Sequence, residues 1–304
     1  GGITPEETGA FVAMAEPYIT SVHVTCGIYE ASVKSGTESS MFHPHGLNID
    51  NAAIIKKYTK LPVGAVGGIN SPELCEQAIA EGKIDFAILG RQMLADPEFA
   101  NKAKRGHEDQ IRRCLRCYKC FPGSPEEGYD DLPFTSEELA LYVGHCTINP
   151  LAHLPFDPDT LAPASKQETV LIVGGGAAGM QAAIAAAECG HQVEVYDSDR
   201  WAGGQYRIAS IPPGKGEITA FLRWQVRELE KLHVPVFLNT TVTKELVLEK
   251  KPDVVVAATG VTPIVPKKIP GVQNPNVVLG QDVLKGAVNT GRRCVVVGGG
   301  LVGV

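Results

Sequence analysis

Val170-Leu171-Ile172-Val173-Gly174-Gly175-Gly176-Ala177-Ala178-Gly179 is the stretch on which the fold turns. A short apolar run of strand length enters a glycine turn, and an alanine-rich run to Ala187 follows with helical composition. Gly174 permits the tight turn and Gly176 lets a backbone approach a pyrophosphate. Gly179 lets helix and strand pack closely, and the helix N-terminus then faces the phosphates. A second apolar run, Val193-Glu194-Val195-Tyr196, ends in Asp197, 23 positions after Gly174, where a carboxylate accepts from ribose hydroxyls. A G-x-G-x-x-G alone is a weak signal, because glycines are common in turns. Here strand, turn, helix, second strand and acid stand in register, which reads as a nucleotide-binding β-α-β unit.

Downstream, Gly203-Gly204-Gln205 follows Asp197 closely, and residues 253–258 read as a buried strand that ends in the small polar turn Thr259-Gly260. Cys294-Val295-Val296-Val297 then reads as a strand that opens a second glycine motif with Gly298, Gly300 and Gly303. Two such motifs suggest two dinucleotides, one a flavin and one a nicotinamide. The sequence stops before the second acid, so NADH and NADPH are not distinguished. Both ends read as cut, and a fragment of a larger polypeptide is expected.

Upstream, residues 4–108 alternate helix and strand. Thr4-Pro5-Glu6-Glu7 carries a capping residue, proline at the first helical position and glutamate at the third, and Ser71-Pro72-Glu73 repeats the start signal. The pattern predicts helices over 4–16, 48–59, 71–81 and 92–104, and strands over 19–25, 61–66 and 84–89. Apolar strands joined by helices demand parallel pairing. Half of a (β/α)8 barrel and half of an open doubly wound sheet both satisfy this pattern.

Between the two regions, Cys114, Cys117, Cys120 and Cys146 fall within one irregular stretch, whereas Cys26, Cys75, Cys189 and Cys294 are scattered. Soft thiolates at that spacing suit an iron–sulfur cluster or a structural zinc. The eight cysteines do not form a disulfide framework, and without a secretory signal they point to a reducing cytoplasm. With a net charge of -6 the chain offers no basic face for nucleic acid, and no apolar run reaches the roughly 20 residues that span a bilayer. The expected partner is a small-molecule substrate, with a homo-oligomer left open.

The order of helix-strand region, cysteine cluster, G-x-G-x-x-G, G-G-Q, A-T-G and second G-x-G-x-x-G resembles the Old Yellow Enzyme-related reductases. That family includes bacterial 2,4-dienoyl-CoA reductase, 2-enoate reductase, bile-acid and steroid ene reductases, and trimethylamine dehydrogenase. The resemblance implies an α/β chain: the C-terminal part of a (β/α)8 TIM barrel holding FMN, a [4Fe-4S] cluster, and a Rossmann-like FAD domain into which an NAD(P) domain is inserted. Residues 1–105 would then be barrel, 106–165 the cluster loop and linker, 166–291 the first part of the FAD domain, and 292–304 the start of the NAD(P) domain. On this reading Gly67, Gly68, Gly90 and Arg91 lie where such barrels bind a phosphate, after the last two strands. Arg91 would clamp it with a bidentate pair. The four clustered cysteines would hold the cluster, although the relatives usually place three residues between the second and third cysteines where this chain has two, and far fewer before the fourth. Tyr29 stands where dienoyl-CoA reductases have a catalytic histidine, and would donate a proton or pack over the flavin. His43 and His45 would line the pocket mouth.

The implied reaction passes a hydride from NAD(P)H to FAD, single electrons through the cluster to FMN, and a hydride to an activated C=C bond. The resemblance also leaves an amine dehydrogenase or N-demethylase, and an electron-transfer module without its own substrate site. An incomplete barrel exposes unpaired strand edges, so the 304 residues alone are expected to aggregate or lose FMN. Soluble fragment that turns over an enone with bound FMN would contradict the barrel assignment.

Overall fold

The computed structural model describes residues 2–27, 39–120, 145–152 and 162–299. They fall into two compact units, Gly1–Pro158 and Asp159–Val304. No helix among the described residues is long and apolar enough to cross a membrane.

The first unit begins with α1 (Pro5–Ala15). The Thr4 hydroxyl accepts from the Glu7 N–H, and the Glu7 carboxylate accepts from the Thr4 N–H, closing the box that the sequence predicts. β1 (Val22–Val24), α2 (Ile49–Ile55), β2 (Val63–Ala65), α3 (Pro72–Ala80) and β3 (Phe86–Ala87) follow. The strands lie inside the predicted ranges but are shorter. They form a parallel sheet in the order β1-β2-β3, with Val24 opposite Ala65 and Ala65 opposite Ala87. Helix and strand side chains including Val12, Ala52, Ile55, Val63 and Ile84 share one core. Gly64 leaves room for a ring, since a Cβ there would lie 2.3 Å from Phe86.

The helix predicted over 92–104 is two helices, α4 (Arg91–Ala95) and α5 (Phe99–Lys104). Pro97 explains the break, because its ring disfavours helical backbone at the preceding residue, and Asp96 is extended at φ -148° and ψ 97°. Asp96 is itself buried and accepts from Lys102 Nζ at 2.7 Å and from the Arg112 N–H at 2.9 Å, so the break anchors the chain that follows.

The second unit contains β4 (Thr169–Val173), α6 (Ala177–Glu188), β5 (Gln192–Tyr196), α7 (Gly204–Ala209), α8 (Gly216–Lys231), β6 (Val236–Phe237), α9 (Lys244–Lys250), β7 (Val254–Ala257) and α10 (Gly280–Leu284). Its four strands are parallel in the order β6-β5-β4-β7. The chain moves outward from β4 through β5 to β6, then returns to the other side of β4. That reversal opens a crevice at the carboxyl ends of β4 and β7, where such sheets bind ligands. α8 buries Ile218, Phe221, Leu222, Gln225 and Leu229, a spacing that keeps one helical face inward.

Two readings of the sequence are corrected here. β7 was read as buried, yet Val254 and Val255 are 39% and 44% exposed, because among the described residues β7 pairs only with β4 and so forms an edge. The run at 294–297 forms no strand among the described residues, and Val295 is 88% exposed. An apolar run becomes a strand only where a neighbouring ladder accepts it.

Ile172 is fully buried at the centre of the second sheet. Ile172→Ala is expected to cost about 2–5 kcal/mol, measured as a lower urea midpoint. An unchanged midpoint would show that β4 is not the core strand.

Candidate functional site

The second unit holds a cleft of about 1030 Å³ at the switch between β4 and β7, lined by Gly174, Gly176, Asp197, Gly204, Gln205, Thr259 and Gly260 among others. Each glycine does something different there. Gly174 has φ +109°, and a Cβ on it would stand 2.3 Å from the Ala258 carbonyl oxygen, so the turn needs glycine to pass β7. A Cβ on Gly179 would stand 1.8 Å from the Gly174 carbonyl oxygen. Gly176 differs, because a Cβ there meets nothing within 4 Å. Its missing side chain leaves open space in the cleft rather than room for another part of the chain. No side chain caps α6, so the first N–H groups of that helix are left to face the cleft.

The G-G-Q segment closes on this turn. The Gly203 N–H donates to the Gly175 carbonyl at 2.7 Å, and a Cβ on Gly204 would sit 3.2 Å from the Gly176 Cα. Gln205 Nε2 donates to the Val261 carbonyl, tying α7 to the chain after Gly260. Asp197 accepts from the Gly175 N–H at 2.6 Å through Oδ2 and from the Asp199 N–H at 2.7 Å through Oδ1. The acid read as a ribose acceptor therefore also fixes the glycine turn. An ionised carboxylate has about four acceptor sites, which leaves capacity for a sugar. Sequence reasoning missed Gln225, which is fully buried on α8 and whose Nε2 donates to the Ala177 carbonyl at 2.9 Å, bracing the start of α6. Its only signal is a polar residue on an apolar helical face. Gly298 lies away from this cleft, and Gly300 and Gly303 fall outside the described residues.

In the first unit, Cys114, Cys117, Cys120 and Cys146 line one small pocket together with Arg91 and Tyr118. The tertiary fold thus gathers the four clustered cysteines. Burial pushes the Cys114 thiol up to about 11, opposed by the Arg116 N–H and the Arg91 guanidinium. Burial also raises the Cys120 thiol, again opposed by Arg91. Arg116 and Tyr118 have φ +55° and +61°, so left-handed residues flank Cys117. The Arg116 N–H reaches Cys114 Sγ at 3.3 Å, and Cys117 Sγ lies 3.2 Å from Thr147 Oγ1.

Buried side chains hold this loop from beneath. Gln92 accepts from the Cys114 N–H at 2.8 Å and donates to the Arg112 carbonyl at 3.0 Å. Asn70 donates to the Cys114 carbonyl at 3.2 Å. Arg116, only 3% exposed, donates to the His43 carbonyl at 2.7 Å and to Ser39 Oγ at 3.2 Å. None of these three was singled out in the sequence, because an Arg inside a C-x-x-C and amides in ordinary helices and loops carry no local signal.

The residues read as a phosphate site take a more specific form. Gly67 and Gly68 have φ +138° and +66°, and a Cβ on Gly68 would stand 2.4 Å from Ser39 Oγ and 3.1 Å from Arg116 Cδ. Close packing by the chain itself requires Gly68. A Cβ on Gly90 would meet nothing. Arg91 donates to the Ser39 carbonyl at 2.6 Å and lies over the Tyr118 ring at 4.9 Å. His43 pairs with Ser40, and His45 Nδ1 lies 2.7 Å from the Gly68 carbonyl oxygen, so both histidines brace the loop. Tyr29 falls outside the described residues.

Residues 1–110 match the family described as NADH:flavin oxidoreductase / NADH oxidase, and residues 168–304 match the family described as pyridine nucleotide-disulphide oxidoreductase. The NADH oxidase of Thermoanaerobacter brockii is 40% identical across 100% of this chain and 45% of its own length. The cinnamate reductase of Clostridium sporogenes is 34% identical over 86% of this chain and 37% of its own. A solved 2-naphthoyl-CoA reductase in complex with 2-naphthoyl-CoA superposes with a TM-score of 0.82 at 30% identity, over 94% of this chain and 41% of that one. The chain spans less than half the length of these relatives. The match also resolves the choice left open by periodicity, in favour of part of a (β/α)8 barrel over half of a doubly wound sheet.

The steric difference between two glycines supplies a test. Gly176→Leu is expected to leave the unfolding midpoint unchanged while abolishing flavin retention by the second unit. Gly179→Ala is expected to lower both, since its Cβ collides with backbone. Retention of FAD by Gly176→Leu would remove the cleft from consideration as the pyrophosphate site.

Proposed function

Because the chain belongs to the NADH:flavin oxidoreductases that continue into a pyridine nucleotide-disulphide oxidoreductase module, we propose that the intact protein uses NAD(P)H to reduce an activated C=C bond. The observation that carries this reading is the meeting of all four clustered cysteines around one pocket in the unit that matches the flavin family. The relatives named for reduction of cinnamate and of 2-naphthoyl-CoA support the substrate class, an unsaturated acid, thioester or enone.

The residues fit three groups. Gly174, Gly176, Gly179, Gly204, Gln205, Thr259 and Gly260 would hold the FAD pyrophosphate and its flanks, with Asp197 toward the ribose. Gly67, Gly68, Gly90 and Arg91 would hold the FMN phosphate, and Gly298, Gly300 and Gly303 would begin the NAD(P) site. Cys114, Cys117, Cys120 and Cys146 would hold a [4Fe-4S] cluster. When bound, these groups supply hydride and single-electron chemistry, while the protein positions them.

The flavin setting supports iron–sulfur over zinc, because zinc has no redox chemistry and cannot pass electrons between two flavins. Among the described residues no group of three His, Cys, Asp or Glu is placed to hold a single metal ion. The pocket also supplies what buried thiolates need, the Arg116 N–H on Cys114 and the Arg91 guanidinium. In the other site, the uncapped N-terminus of α6 offers backbone donors to a diphosphate. We place the protein in the cytoplasm, where thiolate ligands stay reduced.

Anaerobically purified intact protein is expected to contain about four irons per chain with inorganic sulfide, and to oxidise NADH or NADPH only when an enoate or enone is supplied. Stoichiometric zinc without sulfide would overturn the cluster. Flavin reduction by a secondary amine, with no alkene reduction, would transfer the protein to the amine dehydrogenase branch.

A further inference from the structure

Arg91 occupies an unusual position for a residue expected only to clamp a phosphate. It opens α4 directly after β3, 23 positions before Cys114, yet its side chain lines the cysteine pocket. Two contacts fix it there. Nη2 donates to the Ser39 carbonyl at 2.6 Å, and the guanidinium carbon lies 4.9 Å from the centroid of the Tyr118 ring. Tyr118 belongs to the loop between Cys117 and Cys120, where its backbone is left-handed at φ +61°. A planar cation held against an aromatic face has one position, whereas the ammonium of Lys119 on the same pocket belongs to an exposed residue.

We propose that Arg91 is a positioning residue of the cysteine pocket, a fixed cation that raises the reduction potential of the cluster held there. This rests on the iron–sulfur reading above. The physical reason is electrostatic. A four-thiolate cluster is an anion, and reduction adds one more electron to it. A positive charge at fixed distance stabilises the reduced form more than the oxidised one, and does so more strongly where water is excluded. Charge and hydrogen bonding around the sulfurs are among the levers that set cluster potentials. Direction follows from sign: without Arg91 the cluster is harder to reduce. The guanidinium lines the same pocket as all four cysteines, which places its charge beside whatever they hold. Lys119 and His145 also line the pocket, and the exposed Lys119 serves as the control because water and salt screen it.

The test is a dye-mediated redox titration of the intact protein, followed by electron paramagnetic resonance of the reduced cluster, with iron, sulfide and FMN counted in every sample and potentials compared at equal FMN content. Arg91→Gln is expected to keep iron and sulfide and to lower the equilibrium constant for reduction at least tenfold, 59 mV for a one-electron couple. Arg91→Lys, which keeps the charge, is expected to stay within threefold of the wild type, as is Lys119→Gln. An unchanged potential in Arg91→Gln overturns the proposal, as does an equal fall in Arg91→Lys. Loss of iron from both Arg91 variants also overturns it, since the arginine would then be a strut. Should Arg91→Gln alone lose iron, the potential of Arg91→Lys decides: unchanged supports the proposal, lowered defeats it. Absence of iron and sulfide from the wild type would instead defeat the cluster reading itself.

Discussion

Where a parallel strand ends, its ladder of hydrogen bonds stops, and the backbone N–H and C=O groups beyond it must find other partners. Both candidate sites in this chain are answers to that constraint. At the end of β4, the Gly175 N–H is taken by Asp197, and the Gly174 N–H by the Tyr196 carbonyl at 2.8 Å. At the end of β2, the Gly67 carbonyl takes the Leu47 N–H at 3.0 Å, and Asn48 Nδ2 reaches the Val66 carbonyl at 2.8 Å. The groups that remain at the start of α6 face open cleft. A site for an anionic ligand is what remains when the protein satisfies all but a few of these donors.

The cysteine loop follows the same logic with side chains in place of strands. Its residues 111–120 form no helix or strand, so their backbone depends on Gln92, Asn70 and Asp96, which the barrel unit presents from beneath. Arg116 works in the opposite direction, reaching out of the loop to carbonyls of the 39–44 segment. Each buried polar group here has a partner whose loss would leave a donor or acceptor stranded, typically a cost of about 1–3 kcal/mol. The loop is therefore shaped by the protein around it, and the four cysteines are brought to line one pocket.

Shared glycines hide different demands. Gly174, Gly179 and Gly68 are glycine because the chain's own backbone or side chains occupy the space of a Cβ. Gly176 and Gly90 meet no such neighbour, so the protein's own packing does not require them. That division separates glycines the chain's own packing requires from those it does not, and no motif string makes it. It also changes the meaning of Asp197, whose carboxylate holds the turn as well as facing the cleft.

The sequence by itself determined the α/β class, the parallel direction of both sheets, the capping box of α1 and the position of the nucleotide turn. These follow from local chemistry: apolar period, side-chain oxygens at helix starts, and glycines at fixed offsets. Pro97 was equally local, yet the run across it reads as one apolar pattern until the backbone at Asp96 is seen. The grouping of Cys146 with Cys114, Cys117 and Cys120 was already legible in the sequence, and the fold brings the four to one pocket. Only the tertiary structure decided that Arg91 turns toward them, and that Gln92, Gln225 and Arg116 are buried supports. β7 reads as buried for the same reason that it is exposed: its valines state a preference, and the neighbouring strand decides whether that preference is met. Contacts between residues tens of positions apart depend on how elements pack, and packing is a property of the folded chain that spacing along the sequence does not carry.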